Sequence, residues 1–315
     1  VRVLITGASG FAGAWLTDAC AEAGDEVLGV SRSGGGGHAG TRTARLDLQD
    51  ADAVRRLIAE FEPEVLYHLA ALSHVGRSWE DPATTLAANV SGATSVLEAV
   101  RHEAPQCRLV WASSCEVYGP KTDLPVREDA ALEPANPYAV SKAAGDMLAR
   151  VYAEAYGLQI IRARPFNHAG PGQLPIFIVS SLAQQAAQAR RDGVTHLRIA
   201  TGNPDARRDF TDVRDVVRAY RALAVPGVAP GVYNISTGRS VSAAEHVATV
   251  ADLLAPIAVE HVVDPARVRA HEVMDHRGSF ERLHAATGWE PEIPLRQTMA
   301  DTIAWWESEL ARTAG

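Results

Sequence analysis

Lysine and arginine together number 30 in this chain of 315 residues, yet only Lys121 and Lys142 are lysines. Where arginine carries nearly all the positive charge, a retained lysine suggests that a compact ammonium is needed. Lys142 stands four residues after Tyr138, in Tyr138-Ala139-Val140-Ser141-Lys142. On a helix that spacing puts both side chains on one face, a turn apart. An ammonium beside a phenol favours the phenolate and lowers the tyrosine pKa. Such a pair can exchange a proton with a carbonyl or alcohol near neutral pH. Upstream lies Ser113-Ser114-Cys115-Glu116-Val117-Tyr118-Gly119, after an apolar run. Ser114, at a strand end, can donate a hydrogen bond to the same substrate oxygen. Glu116 is open to three readings: a base at a carbon next to a carbonyl, a residue orienting its neighbours, or a solvated charge. Cys115 reads as a small filler, because a thiol nucleophile wants a paired histidine and none is identifiable.

These residues need a platform. Gly7-Ala8-Ser9-Gly10-Phe11-Ala12-Gly13 sits between an apolar strand, Val1 to Thr6, and a helical stretch near Trp15 to Ala23. Gly7 would permit the tight turn, Gly10 close approach of a pyrophosphate, and Gly13 close packing of helix on sheet. The anion would sit over the N–H groups of the first helical turn. Phe11, inside the turn, joins the expected cofactor set. The second strand ends at Val30-Ser31-Arg32-Ser33, without the acid that grips an NAD ribose. Arg32 suits a 2′-phosphate, so NADP is the first choice and NAD the alternative. Asp47, before Leu48, could accept from an adenine amino group or cap the following helix.

Short apolar strands alternate with longer helices up to about residue 165, the signature of a parallel α/β sheet. The expected fold is therefore α/β, a Rossmann-like doubly wound parallel sheet. Residues 1–165 are expected to bind the dinucleotide and 166–315 mainly the substrate, while 210–240 could return to the first sheet. Pro165 should end a strand over Leu158 to Arg162, and helices are expected over Leu86 to His102, Tyr138 to Tyr156 and Thr298 to Leu310. Gly34 to Gly37 read as a flexible loop. No Ser/Pro linker separates the halves, so the second should fold onto the first.

Composition narrows the function. A hydrophobic fraction of 47% can build a core without disulfide or metal staples. A net charge of -8 argues against a broad basic face, hence against nucleic acid or an anionic membrane surface. Three cysteines without a CxxC pair suggest reduced thiols in the cytoplasm, and VRVLITGASGFAG does not resemble a leader. The 11 histidines show no compact metal spacing, so no metal is expected, and His68 reads as a satisfied core residue.

Taken together, these motifs resemble the extended short-chain dehydrogenase/reductase family, in its nucleotide-sugar branch, over nearly the whole chain. Ser114, Tyr138 and Lys142 match its catalytic triad, with Glu116 beside them. Leu69, Ala70 and Ala71 resemble its cofactor-lining strand end, Asn89 its supporting asparagine, and Asp47-Leu48 its adenine contact. The stretches Ser73 to Ser78, Arg164 to Gln173, Arg208 to Asp215, Asp264 to Arg269 and Thr287 to Leu295 are similar to the GDP-sugar members. The resemblance implies reduction of the 4-keto group of GDP-4-dehydro-6-deoxy-D-mannose to GDP-D-rhamnose by NAD(P)H. It implies substrate contacts from Ser73, Arg77, Asn167, Arg208, Arg269 and Glu272. It also implies a homodimer through a four-helix bundle built from 85–102 and 138–156. Two departures stand out: Arg269-Ala270-His271-Glu272 lacks the usual proline, and Gly278-Ser279 replaces Gly-Asp. A GDP-mannose 4,6-dehydratase, or another epimerase or reductase such as a GDP-6-deoxy-D-talose-forming enzyme, is the alternative. A nucleotide-binding regulatory or scaffold protein on this fold is the non-enzymatic one.

Overall fold

Val3, Leu4 and Ile5 are buried, as are Leu66 and Tyr67, and Leu109 to Ala112. Strands apolar on both faces belong inside a parallel sheet covered by helices. The computed structural model describes residues 1–34, 41–268 and 273–314. In chain order its strands are β1 (Arg2–Thr6), β2 (Glu26–Ser31), β3 (Arg42–Arg45), β4 (Val65–His68), β5 (Arg108–Ala112), β6 (Ile160–Pro165), β7 (Asn167–Ala169), β8 (His196–Thr201), β9 (Arg207–Asp212), β10 (Gly231–Ile235), β11 (Ser240–Ser242), β12 (Ala258–Val263) and β13 (Asp275–His276). The α-helices are α1 (Phe11–Glu22), α2 (Ala51–Phe61), α3 (Val75–Glu80), α4 (Pro82–Leu86), α5 (Gly92–Glu103), α6 (Pro137–Tyr156), α7 (Ile178–Arg191), α8 (Val213–Ala224), α9 (Ala243–Leu254), α10 (Glu281–Thr287) and α11 (Leu295–Ala314).

Seven strands form one sheet in the order β10-β6-β5-β4-β1-β2-β3, and every pairing is parallel. This is a Rossmann-like doubly wound sheet whose order reverses at β1. Leu16 and Cys20 of α1 share one buried cluster with Val216, Tyr220 and Leu223 of α8. Val54 and Ile58 of α2 share the cluster on the other face with Val96, Leu97 and Val100 of α5. Residues 231–235 do return to the sheet, where β10 lies beside β6. A smaller C-terminal region packs α7, α9 and α11 around Val179, Leu182, Val250, Met299 and Ile303. In its small sheet β9 pairs with β7, β11 and β13. The two regions are packed directly on each other. The Asp215 carboxylate on α8 accepts from the N–H groups of Glu292 and Ile293 at 3.0 and 2.9 Å. The Thr298 hydroxyl on α11 donates to Asp212 at 2.8 Å.

Several boundaries differ from expectation. The strand expected over Leu158 to Arg162 is β6, Ile160–Pro165, which does end at Pro165, in register with Ile235. Pro165 lacks an N–H, and that of the next residue, Phe166, reaches the Ile235 carbonyl instead, at 2.8 Å. The helix expected over Leu86 to His102 is interrupted by a π-turn at Ala87–Ser91. The last helix begins at Leu295 and runs to Ala314. Gly35 to Gly37 lie outside the described residues.

One polar network fixes α6. The Asp146 carboxylate, fully buried, receives Nε and Nη2 of Arg164 at 2.9 Å each and Nη1 of Arg162 at 2.8 Å. Burial pushes the Asp146 carboxyl up, but the two β6 guanidinium groups outweigh it and hold it below its ordinary value. Removing one partner of a buried pair strands the other charge. Asp146→Ala should therefore cost about 3–5 kcal/mol at pH 7, read as a lower urea midpoint. Because the folded carboxyl titrates below its unfolded value, its stabilisation is full above the ordinary carboxylate range. It is lost as pH falls through the folded pKa, so the gap to wild type should narrow in acid. An unchanged midpoint at pH 7 would contradict the assignment.

Candidate active site

A parallel sheet brings all its strand ends to one edge. The segments after β1, β2, β3, β4, β5 and β6 therefore line up at that edge. These carry Gly7, Arg32, Asp47, Leu69 to Ala71, Ser114 and Asn167. In doubly wound sheets the ligand crevice lies outside this edge, where the strand order reverses.

The glycine-rich turn has no room for side chains. Gly7 has φ +77°, and a Cβ there would lie 2.8 Å from the Ala70 nitrogen. A Cβ on Gly13 would lie 2.1 Å from the Gly7 carbonyl oxygen. Gly10 is the N-cap of α1 and makes no side-chain cap, so the first-turn N–H groups are open to an anion. These features fit a dinucleotide pyrophosphate. Phe11 stacks on His168 with ring centroids 5.8 Å apart, and Trp15 Nε1 donates to the Pro171 carbonyl at 3.0 Å. The segment after β7 thus packs over the start of α1. Arg32 is exposed at the end of β2. Asp47 is exposed and accepts from the Gln49 N–H at 3.0 Å, whereas Asp50 caps α2. The capping alternative for Asp47 is thereby excluded, since the helix begins one turn later than that role requires.

Asn89 ties the cofactor edge to the reacting end. Its Oδ1 accepts from Leu72 N–H at 2.7 Å, and its Nδ2 donates to the Leu72 carbonyl at 3.0 Å and to the Ser141 hydroxyl at 2.9 Å. Ser141 lies between Tyr138 and Lys142 and donates to the Tyr138 carbonyl at 2.7 Å. Asn89 sits in the π-turn, a local widening of the helix common at functional sites. His68 is a core residue as expected, paired with Thr6 Oγ1 at 2.9 Å and packed on the Trp111 ring.

Tyr138, Lys142 and Ser114 are all buried. Ser114 caps the 3-10 turn Cys115–Tyr118, its hydroxyl accepting from Glu116 N–H at 3.2 Å. The electrostatics correct one expectation. The Lys142 ammonium donates to the Ala112 carbonyl, and nothing shows it pulling the Tyr138 pKa down. Burial instead pushes the phenol well above its ordinary value, against the opposing pull of the neighbouring Ser114 hydroxyl, while Glu116 adds to the rise. Burial also lowers Lys142 to about 8, opposed by Asp146 one turn on. Spacing showed the shared face but not the depth of burial, and burial dominates. The phenol consequently keeps its proton at neutral pH.

Glu116 is half-buried, and its Oε2 accepts from Asn136 Nδ2 at 3.1 Å. Asn136 caps α6 through Ala139 N–H at 2.8 Å, so Glu116 is tied to the helix that carries Tyr138. Asn167 and Arg208 come together on β7 and β9. Asn167 Nδ2 reaches the Asp209 carbonyl at 3.4 Å, and Arg208 Nη1 donates to the carbonyls of Arg207 and Val273. Ser73, before α3, and Arg77, within it, are both exposed, and α3 packs on α6. Arg269 and Glu272 lie outside the described residues. Sequence reasoning missed His276, which is 4% exposed on β13 and opposite Arg208 in register. A lone histidine in a two-residue strand gives no periodic signal.

Residues 4–302 match the GDP-mannose 4,6 dehydratase family. The GDP-6-deoxy-D-mannose reductase of Pseudomonas aeruginosa is 36% identical, with 98% of each chain covered. The structure of RMD from Pseudomonas aeruginosa complexed with NADPH superposes with a TM-score of 0.85 at 34% identity, covering 98% of this chain and all of that one. The UDP-glucose 4-epimerase of Thermus thermophilus, in complex with NAD, gives a TM-score of 0.85 at 29% identity, covering 97% and 99% of the two chains. The chain belongs to the GDP-mannose 4,6 dehydratase family, within the NAD(P)-dependent nucleotide-sugar branch of the extended short-chain dehydrogenases/reductases.

Proposed function

We propose that this enzyme reduces the 4-keto group of GDP-4-dehydro-6-deoxy-D-mannose to GDP-D-rhamnose. One observation carries the reading: Tyr138 and Lys142, buried on one face of α6, stand with the buried Ser114 at the sheet edge that holds the glycine turn. An acid and a hydrogen-bond donor aimed at one oxygen suit a ketone that must become an alcohol. The reductase likeness over nearly the full chain supports it. A bound nicotinamide would supply the hydride to C4. Tyr138 gives the proton to the C4 oxygen, Ser114 polarises that carbonyl, and Lys142 holds positive charge beneath the site. Glu116 holds Asn136 at the start of α6. Asn167 and Arg208, with Arg269 and Glu272, are assigned to the GDP moiety, and Ser73 and Arg77 to the sugar side. Leu69, Ala70, Ala71 and Asn89 line the cofactor, and Asp47-Leu48 its adenine. Residues 1–165 with α8 and β10 form the cofactor unit, and the remainder forms most of the substrate unit.

The second reading is 4,6-dehydration, favoured by the carboxylate of Glu116 close enough to raise the Tyr138 pKa and by the family match. Stoichiometry separates the two. The reductase consumes one NADPH per product from the 4-keto sugar, and Tyr138→Phe should retain NADPH binding and lose roughly 100-fold or more in kcat. Conversion of GDP-mannose without net NADPH consumption would replace the reductase reading with the dehydratase one.

NADPH is taken as the donor, supported by the NADPH bound in the Pseudomonas structure, with Arg32 as the 2′-phosphate contact. Arg32→Ala should raise the KM for NADPH about tenfold, the scale of one charge-assisted hydrogen bond, and leave that for NADH nearly unchanged. An unaltered NADPH to NADH ratio would reject the clamp.

The homodimer is assigned to the outer face of α6, where Val140, Met147 and Val151 are 44%, 50% and 48% exposed along one stripe. Leu86 on α4 and Trp79 on α3 extend it. Among the described residues no helix is long and apolar enough to cross a membrane. The buried free thiols Cys20, Cys107 and Cys115 accord with a cytoplasmic placement. Light scattering should give twice the chain mass for wild type and the single-chain mass for Met147→Glu/Val151→Glu. A monomeric wild type would remove the assignment.

A further inference from the structure

His276 is an expensive residue in its place. It packs on the Phe166 ring, with centroids 5.1 Å apart, where an apolar side chain would serve. Its Nε2 is buried and has no hydrogen-bond partner among the described residues. A buried polar atom left unpaired is destabilising, so its presence asks for a reason. The surroundings supply one. A His276 ring nitrogen, a Glu116 carboxylate oxygen and Cys115 Sγ lie within 4.8 Å of one another. Asn136, the cap of α6, donates to one Glu116 oxygen. Within 4.8 Å of the carboxylate also stands an imidazole carried by the small C-terminal sheet.

We propose that His276 is a positioning residue of the reacting end, which braces the Glu116 carboxylate from β13 and so keeps Asn136 and Tyr138 in register with Ser114. The brace joins the region assigned to the substrate with the helix that carries the proton donor. Four groups face the imidazole: Glu116 and Cys115 from the turn after β5, Arg208 from β9, and Asp275 on its own strand. Burial and Arg208 hold the ring toward its neutral form, while Glu116 and Asp275 pull the other way. A neutral imidazole can still donate one N–H to a carboxylate, and the two groups stand within 4.8 Å.

The inference deepens the reductase reading, so one arm of its test uses no substrate. Long-range nitrogen–proton NMR follows the His276 ring through a pH titration in wild type and in Glu116→Gln. Loss of the carboxylate should lower the titration midpoint, and an unmoved midpoint would overturn the brace whatever the reaction. The second arm uses steady-state kinetics with the 4-keto GDP-sugar and NADPH. His276→Phe should lose roughly tenfold in kcat, the scale of coupling within one hydrogen-bond network, with the KM for NADPH unchanged. His276→Gln, which restores an N–H donor, should recover most of that loss. Wild-type kcat in His276→Phe, or no recovery in His276→Gln, would contradict the role. A wild-type enzyme inert toward the sugar would count against the reductase reading alone, leaving the NMR arm to decide on the brace.

Discussion

The grip of Arg164 and Arg162 on Asp146 is the constraint on which the reacting end depends. Asp146 lies one turn beyond Lys142 on α6, and both arginines come from β6, beside the strand that leads into Ser114. A carboxylate buried this fully is tolerated only when paired and hydrogen-bonded. The bidentate fork of Arg164 meets that need and fixes the rotation of α6 about its axis. Tyr138 and Lys142 then face the end of β5. Asn89 and Glu116 secure the same helix from the π-turn at Ala87–Ser91 and from the turn after β5.

Burial then determines the chemistry. Within this pocket the phenol is raised and the ammonium lowered, so each group is biased toward its neutral form. A neutral phenol is a proton donor, which suits the reduction of a ketone. Lys142 sits under the site with its ammonium on the Ala112 carbonyl. The same carboxylate that fixes α6 also opposes the loss of charge on Lys142.

Local patterns are legible in the sequence, and distant pairings are not. Gly7 and Gly13 can be read because steric exclusion acts within one turn and leaves only glycine possible. Tyr138 and Lys142 can be read because helical spacing sets their common face. The direction of the tyrosine shift runs against the sequence reading, since spacing carries no information on burial. Asp146 with Arg164, and His276 with Glu116, meet only after the chain has crossed the sheet, so no local spacing marks them. β8 gives no clear signal because the exposed His196 and Arg198 break up the apolar run that identifies the inner strands. Arg269 and Glu272 rest on resemblance alone.

In the proposed mechanism, Tyr138 and Lys142 would face a bound nicotinamide ring over C4 of the sugar nucleotide. Isotope transfer examines this most directly. Wild-type enzyme given NADPH deuterated at the transferable C4 position and GDP-4-dehydro-6-deoxy-D-mannose should yield a 6-deoxyhexose with one deuterium at sugar C4, seen by proton NMR as loss of the H4 signal. A product that retains full H4 intensity, or carries the deuterium at another carbon, would contradict the account.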